Sequence, residues 1–325
     1  MRCTASRWRS WRLSAIPQVR DPVLLIDSCA HPTCDGQWIG GRAGVNHDEL
    51  AINLQRSGYT GALAVGLPGV GSYDHREFLA KCASHPNLVP VAALTRSDTL
   101  VAAARDLNHI AALGFRIVKV HPRLLGYEQT LEMLPGIFDA CIERDLAMAL
   151  CTYPEYRSSI GPDDARGLMA QAIVDRPSGQ FLAMHAGVLD PDPFAVAAAA
   201  NPGVLLDFSL SLLKYPDEVM DPALRITAFQ PRAACLGSDG PEWTYDQVAK
   251  TLVAVRRRAG DAAASALGGQ NLARWLHELG IHIGCVAESR LGGTGLGHPE
   301  VPVVRKWPLD VRHPSITQDA GGLIE

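Results

Sequence analysis

Short apolar segments alternate along this chain with longer stretches in which apolar positions recur at helical spacing. Runs of roughly four to eight apolar residues, often β-branched, are typical of strands buried on both faces of a parallel sheet. Eight such strands are predicted, at Val23–Asp27, Gly61–Val65, Leu88–Leu94, Phe115–Val120, Ala147–Cys151, Phe181–Met184, Val204–Asp207 and Ala233–Gly237. Helical stretches separate them, and Gly58 and Gly114 mark the ends of two of these helices.

Eight strands with intervening helices predict an α/β fold, specifically a (β/α)8 TIM barrel. A doubly wound open sheet is the alternative, and it would place a glycine-rich phosphate-binding turn after an early strand. The glycines between Gly66 and Gly71 do not match such a turn, because Pro68 interrupts them and no helical pattern follows. The pattern therefore favours the barrel.

Length and charge narrow the classes of function. The chain has 325 residues and a formal net charge of −4, which predicts no bulk attraction to nucleic acid or acidic membranes. No apolar run is long enough for a membrane span. The barrel is expected at 22–280, between a basic N-terminal arm at 1–21 and a Gly/Pro-rich C-terminal extension at 281–325. The extension could be flexible, but its apolar residues at 301–307 favour an ordered strap across the barrel or across a second subunit.

Cysteine usage bears on the cellular location. The eight cysteines show no CxxC spacing, and the arginine-rich N-terminal segment lacks the apolar stretch of a secretory signal. We therefore expect reduced thiols and a cytoplasmic protein, with most cysteines buried as small apolar residues. The expected partner is a small-molecule substrate, and a homodimer is left open.

Polar side chains with chemical potential follow several of the predicted strands. They are Cys29 and His31, Lys119 and His121, Cys151, His185, Asp207 and Ser209, and Asp239. Function in barrels of this kind gathers at the carboxyl ends of the strands. Residues two apart in extended backbone point the same way, so the first pair sets a thiol beside an imidazole. The pattern predicts one site at the barrel mouth.

Five short stretches resemble, in their order, the amidohydrolase superfamily, in particular the branch of aminocarboxymuconate-semialdehyde decarboxylase and related lactone hydrolases. They are LIDSCAH at 25–31, GFRIVKVHP at 114–122, FLAMHAG at 181–187, LGSDGP at 236–241 and GQNLAR at 269–274. The resemblance runs from about residue 24 to residue 276, and it implies a barrel enzyme with a divalent metal.

The resemblance implies a His-x-His pair of metal ligands on the first strand and a ligating histidine after the fifth. His31 matches the second histidine of the pair, whereas the other two positions hold Cys29 and Cys151. His185 matches the residue that usually contacts the metal-bound water, and Asp239 matches a ligand and proton acceptor. The expected ligands are Cys29, His31, Cys151 and Asp239. Zinc is the expected metal because it binds thiolates well.

Other roles for the two cysteines stay open. Cys29 or Cys151 could be a nucleophile with a neighbouring histidine as its base. Both could instead be inert in a barrel that holds no metal. A disulfide between them is conceivable across the mouth, although a reducing cytoplasm disfavours it.

The leading functional hypothesis is hydrolysis of a small polar amide or lactone by a metal-activated water. Asp239 would take the proton of the water and deliver it to the leaving group, and His185 would hold the water or the oxyanion. Non-oxidative decarboxylation, which the resembling branch also performs, is one alternative, and a catalytically silent binding barrel is another. The residues expected to bind substrate are Lys119, His121, Arg123, Tyr153, Trp38 and Trp243.

Overall fold

The computed structural model describes residues 24–283, and within them eight parallel strands pair in sequence order. The strands are β1 (Ile26–Ala30), β2 (Gly61–Val65), β3 (Leu88–Ala93), β4 (Ile117–Val120), β5 (Ala147–Cys151), β6 (Phe181–Met184), β7 (Val204–Asp207) and β8 (Ala234–Cys235). All except β3 are buried along their whole length, which explains why they read as continuous apolar runs. The predicted (β/α)8 barrel is confirmed.

Helices follow the strands and form the outer layer. They are α1 (His47–Arg56), α2 (His75–Ala83), α3 (Leu100–Leu113), α4 (Pro122–Leu125), α5 (Tyr127–Ile142), α6 (Pro162–Val174), α7 (Asp192–Ala200), α8 (Ser209–Lys214), α9 (Pro216–Phe229), α10 (Tyr245–Ser265) and α11 (Asn271–Glu278). Helix α1 begins with a capping box, in which Asn46 and Glu49 satisfy each other's backbone N–H groups. Helix α3 ends at Gly114, whose φ of +95° suits glycine.

Four strands match their predicted bounds, β3 ends one residue earlier than predicted, β4 begins two residues later, and the first and last strands differ more. Strand β1 starts at Ile26 instead of Val23 and continues to Ala30. It continues past Asp27 and Ser28 because both polar side chains are hydrogen-bonded in the interior. Strand β8 is only two residues long, because Leu236 N donates to the Leu267 carbonyl.

Two apolar clusters lie on opposite sides of the strands, one under the helices and one inside the barrel. On β4, Ile117 belongs to the inner cluster and Val118 to the outer one. Side chains alternate along a strand, so Lys119 shares the inward face with Ile117. Lys119 pairs in register with Ala149 of β5, which also belongs to the inner cluster. The barrel interior thus carries a buried ammonium group toward its carboxyl end.

Strands β1 and β8 meet beside the site residues at an isolated bridge between Ala30 and Gly240, where His31 N donates to the Gly240 carbonyl at 2.8 Å. The predicted arm at 1–21 lies outside the described residues, and so does the predicted strap at 281–325 apart from its first three residues. Among residues 24–283, no helix combines the length and apolar character that crossing a bilayer requires.

Candidate functional site

Three ligand-type atoms converge where β1 and β8 end. Cys29 Sγ lies 3.3 Å from His31 Nε2 and 3.3 Å from Asp239 Oδ1, and His31 Nε2 lies 3.4 Å from the same carboxylate oxygen. All three side chains are buried. The structure therefore brings together three of the four residues predicted to hold a metal.

Asp27 lies on β1, two residues before Cys29. It holds together the two segments that carry these ligands, the end of β1 and the turn after β8. Its carboxylate accepts hydrogen bonds from the backbone N–H of Cys29 (3.0 Å) and from the backbone N–H and hydroxyl of Ser238 (2.8 and 2.6 Å). The hydroxyl of Tyr245 donates to it as well, at 3.0 Å. Burial raises the pKa of Asp27 to about 6, against the opposing effect of these donors. Asp27 thus ties the end of β1 to the turn after β8.

The facing atoms of Cys29, His31 and Asp239 have more lone pairs than hydrogens to share between them. His31 Nδ1 lies 2.8 Å from the Val65 carbonyl, which can only accept, so Nδ1 carries a hydrogen. Burial lowers the pKa of His31, and Lys119 lowers it further, so the imidazole is neutral and Nε2 presents a lone pair. The thiol hydrogen of Cys29 can serve one acceptor at a time. The arrangement leaves a lone pair facing other lone pairs, which a bound cation would satisfy.

The spacing of these atoms fits zinc. Bonds of about 2.3 Å to sulfur and about 2.0–2.2 Å to nitrogen and oxygen place tetrahedral zinc ligands about 3.4–3.6 Å apart. The three separations are 3.3, 3.3 and 3.4 Å. The hydrogen bond from His31 to Val65 is the kind of outer contact that orients a metal-binding imidazole. Three protein ligands leave a tetrahedral ion one open position.

The pKa values of Asp239 and Cys29 shift in opposite directions. Burial raises the pKa of Asp239, but the neighbouring imidazoles and Lys119 outweigh it, so this pKa lies well below the usual value. Asp239 is therefore ionised at neutral pH. Burial and then Asp239 raise the pKa of Cys29 well above its ordinary value. A nucleophilic Cys29 would require the opposite shift, whereas coordination to a metal deprotonates a thiol directly.

Cys151 is buried at the end of β5, but its sulfur is outside the group of donor atoms that lie within 4.8 Å of one another. Burial raises the pKa of its thiol, so it is not an activated nucleophile. Both Cys29 and Cys151 are free, and the disulfide considered between them is not formed.

His185 lies beside the three-atom group. Its Nε2 is 3.9 Å from Asp239 Oδ1, and its Nδ1 is 3.1 Å from Ser209 Oγ. Burial lowers the pKa of His185 to about 4, so the ring is neutral at neutral pH. The backbone of His185 has a φ of +69°, in the left-handed region. His185 therefore has the position that the sequence predicted for it, next to the centre.

Lys119 and His121 leave polar atoms unused. Within residues 24–283 the Lys119 ammonium makes no hydrogen bond or ion pair, although its side chain is 1% exposed. Among residues 24–283, Lys119 does not pair with the buried carboxylate of Asp207, which accepts from the hydroxyls of Ser28 and Ser209. The Nδ1 atom of His121 is buried without a partner. Burial, followed by Lys119, lowers the pKa of His121 well below its usual value.

A second group of side chains lies at the mouth. The Arg123 guanidinium stacks on the Tyr153 ring, 4.5 Å from its centroid, and Lys214 Nζ lies 5.9 Å from the same ring and 5.2 Å from that of Tyr215. We call these four residues the mouth cluster. The charge of Arg123 also lowers the pKa of His185, though less than burial and Lys119 do. Lys214 and Tyr215 were missed at the sequence level, because Lys214 is the last residue of α8 and Tyr215 follows it, so neither stands directly after a strand.

The two tryptophans predicted at the site differ in their contacts. Trp38 is buried and stacks on His31, with ring centroids 5.7 Å apart. Its Nε1 donates to Glu242 Oε1 at 2.7 Å, and Arg42 pairs with the same oxygen at 2.5 Å. Glu242 thus joins the loop after β1 to the loop after β8. Trp243 is half-buried next to Glu242, and among the described residues it has no ring contact or side-chain hydrogen bond.

Several solved structures have a similar fold. An uncharacterized TIM-barrel protein from Bordetella bronchiseptica is 16% identical, with a TM-score of 0.65 over 79% of this chain and 99% of that one. IDCase from Metarhizium anisopliae is 15% identical, with a TM-score of 0.56 over 78% and 97% of the two chains. A Pseudomonas putida protein described as a 2-pyrone-4,6-dicarboxylic acid hydrolase is 16% identical, with a TM-score of 0.55 over 78% and 98%.

No protein-family model matches the chain, and a comparison with curated proteins finds no match. At 15–16% identity, the likeness to solved structures establishes the fold. A TIM barrel is the fold that the sequence resemblance implies. The chain has the TIM-barrel fold of these proteins.

Proposed function

We propose that the protein is a metal-dependent hydrolase of a small polar amide or lactone. The observation that carries this proposal is the convergence of Cys29 Sγ, His31 Nε2 and Asp239 Oδ1 within 3.3–3.4 Å of one another at the barrel mouth. Their donor chemistry suits zinc, and Cys29, His31 and Asp239 would hold it. The chemistry that such an ion supplies when bound is a more acidic water and a polarised carbonyl oxygen.

Asp239 carries both proton transfers, and His185 positions the water. Asp239 is ionised and can accept a proton from a nucleophilic water, then return it to the leaving nitrogen or oxygen. His185 is neutral because burial lowers its pKa to about 4, so it can hold a water by accepting a hydrogen bond. Trp38 covers His31 and keeps bulk water away from this side of the centre.

The substrate we propose carries an anionic group. Lys119 offers a buried ammonium that has no hydrogen bond or ion pair among residues 24–283, and the mouth cluster adds Arg123 and Lys214 above aromatic rings. Arg123 is also within 3.6 Å of Glu155, a contact that is partly exposed and that a bound carboxylate could replace. A lactone or cyclic amide with a carboxylate would place its carbonyl at the centre and its charge toward these cations.

Non-oxidative decarboxylation is the second candidate, favoured by the unpaired Lys119 ammonium. A buried cation without a partner could anchor the departing carboxylate or protonate the resulting carbanion. The two reactions differ in their products, because decarboxylation releases CO₂ and hydrolysis opens the amide or lactone.

The test uses the full-length protein, freed of metal by a chelator and reloaded with zinc. A panel of small carboxylate-bearing lactones and cyclic amides is assayed for ring opening and for CO₂ release. We expect ring opening only after reloading, and a loss of at least about 100-fold in Asp239→Asn, since acid–base groups contribute roughly 10²–10⁴-fold. Cys141→Ser is the control. Cys141 is buried in α5, in the apolar cluster between the helices and the strands, and it does not belong to the candidate centre.

Zinc-independent ring opening would refute the proposed metal dependence. Release of CO₂ without ring opening would establish the decarboxylase instead. Failure of the reloaded protein to act on any member of the panel, together with failure to bind zinc, would leave the silent binding barrel as the better description.

A further inference from the structure

Asp207, at the end of β7, collects four hydrogen-bond donors in the buried layer beside the centre. Its Oδ1 accepts from the hydroxyl of Ser28 at 2.5 Å and from Ser209 N at 3.1 Å. Its Oδ2 accepts from the hydroxyl of Ser209 at 2.6 Å and from His185 N at 3.3 Å. Each oxygen thus faces one backbone N–H, a group that can only donate. An ionised carboxylate is the form that serves all four donors.

The hydroxyl of Ser209 has a single hydrogen, and Asp207 receives it. Ser209 Oγ lies 3.1 Å from His185 Nδ1, so at this contact the hydroxyl must accept and the imidazole must donate. A neutral imidazole carries its hydrogen on one nitrogen only. With Nδ1 protonated, Nε2 is left with a lone pair, and Nε2 is the atom that faces Asp239 Oδ1 at 3.9 Å.

We propose that Ser209 and Asp207 are positioning residues that hold His185 as its Nδ1-protonated tautomer, with the Nε2 lone pair turned toward the Cys29–His31–Asp239 centre. The chain of contacts also reaches Ser28, the neighbour of Cys29 on β1. One buried carboxylate therefore sets the proton position of His185 and tethers the strand that carries the thiol. The catalytic consequence rests on the proposed function, whereas the tautomer does not.

Nitrogen NMR reads this tautomer directly. The full-length, metal-free protein is labelled with ¹⁵N-histidine, and the His185 signals are assigned by their absence in His185→Gln. In the wild type we expect the shift of a protonated Nδ1 and an unprotonated Nε2. In Ser209→Ala we expect the Nε2 signal to move toward the protonated range, because Nδ1 has lost its hydrogen-bond acceptor and Asp207 Oδ2, 3.9 Å away, is too distant to replace it.

Two variants separate the tautomer effect from damage to the fold. Ser209→Thr keeps the hydroxyl and should restore the wild-type shifts. Ser211→Ala is the matched control, because Ser211 lies on the same helix as Ser209 and its hydroxyl donates to the backbone carbonyl of His185 at 2.9 Å. Removing this hydroxyl should leave the ring shifts unchanged. Wild-type shifts showing a protonated Nε2 would overturn the proposal, as would unchanged shifts in Ser209→Ala. The wild-type reading decides even if Ser209→Ala does not fold.

A kinetic arm applies once ring opening has been observed. Outer partners of active-site histidines contribute about 10–100-fold to activity. We therefore expect Ser209→Ala to lower kcat by about 10–100-fold with little change in KM, and Ser209→Thr to recover most of it. If the wild type hydrolyses nothing, the proposed function fails while the NMR result still stands. Equal kcat in Ser209→Ala and the wild type would refute the catalytic role.

Discussion

Cys29 and Cys151 end strands β1 and β5, yet the structure gives their sulfurs different surroundings. Cys29 Sγ contacts His31 and Asp239 at 3.3 Å, whereas Cys151 lies outside the group of donor atoms. A cysteine side chain is shorter than a histidine, so a sulfur on β5 falls short of a centre built between β1 and β8. The sequence alone predicts that both cysteines lie at the barrel mouth. The distance from each sulfur to His31 and Asp239 depends on the barrel geometry, which the sequence does not give.

This difference predicts unequal effects of two matched substitutions on zinc affinity. Cys29→Ala removes a ligand and should weaken zinc binding by more than about 100-fold, beyond the 10–100-fold typical of outer contacts. Cys151→Ala should change it by less than about 3-fold, because no ligand is lost. Competition with a chromogenic chelator measures both affinities. Equal losses in the two variants would show that both sulfurs bind the metal.

His185 predicts a pH dependence of stability in the metal-free protein. Its pKa is about 4 in the folded state, against about 6.5 in an unfolded chain. Between these values the unfolded chain binds more protons, so the free energy of unfolding falls as the pH falls. From pH 7.5 to pH 5 this loss amounts to about 2 kcal/mol.

Urea unfolding at the two pH values measures this effect. His185→Gln should lose about 2 kcal/mol less than the wild type over the same interval, because the glutamine does not titrate. The buried aspartates Asp27 and Asp207 are present in both proteins, so their contributions cancel. An identical pH dependence in the two proteins would contradict the assigned pKa.

At the scale of elements, the turn after β8 packs directly on β1. A Cβ atom added at Gly237 would clash with the Asp27 carboxylate and lie 2.5 Å from Cys29 N. Gly237 therefore permits the close approach that sets Asp239 beside Cys29. At Gly167 in α6, by contrast, an added Cβ would meet nothing within 4 Å.

These two glycines give a matched pair of predictions. Gly237→Ala should lower the free energy of unfolding by about 1–3 kcal/mol, the usual range for overpacking, and should weaken zinc binding. Gly167→Ala should raise it by about 0.5–1 kcal/mol, since alanine is favoured over glycine inside a helix. Denaturant unfolding and zinc titration of both variants provide the measurements. Undiminished stability and zinc affinity in Gly237→Ala would refute the role given to this approach.

The elements were more predictable from sequence than the contacts between them. Strand β6 matches its predicted bounds because its four apolar residues, between two helical stretches, form a run of the length typical of a buried strand. Strand β1 was misplaced because Asp27 and Ser28 look like the end of a strand until their partners Ser238 and Asp207 are known. Lys214 escaped notice for a similar reason, because its approach to Tyr153 depends on how the loops after β5 and β7 meet.

At the scale of the whole molecule, the candidate centre spans the seam where the barrel closes. Cys29 and His31 come from β1 and Asp239 from the turn after β8, and these segments are joined by the Ala30–Gly240 bridge and the Asp27 network. A metal held by both sides would therefore stabilise the closed barrel as well as supply reactivity. A ligand that binds only the folded state stabilises it in proportion to the logarithm of its concentration.

Zinc at 1,000 times its dissociation constant should raise the free energy of unfolding by about 4 kcal/mol. Asp239→Asn weakens one side of the seam and should lose most of this gain, whereas Cys141→Ser should keep it. Urea unfolding with and without zinc measures the difference. Equal stability of the wild type under both conditions would contradict a metal at the seam.

The coordination of the bound metal shows directly whether Cys29, His31 and Asp239 form a zinc site. X-ray absorption at the zinc edge, on stoichiometrically loaded protein, counts the sulfur ligands and gives their distance. We predict one zinc per chain, with a single sulfur at about 2.3 Å and the remaining ligands, nitrogen and oxygen, at about 2.0–2.2 Å. In Cys29→Ala the sulfur contribution should vanish. A chain that takes up no zinc, or a zinc ion with no sulfur or with two, would contradict a centre built from Cys29, His31 and Asp239.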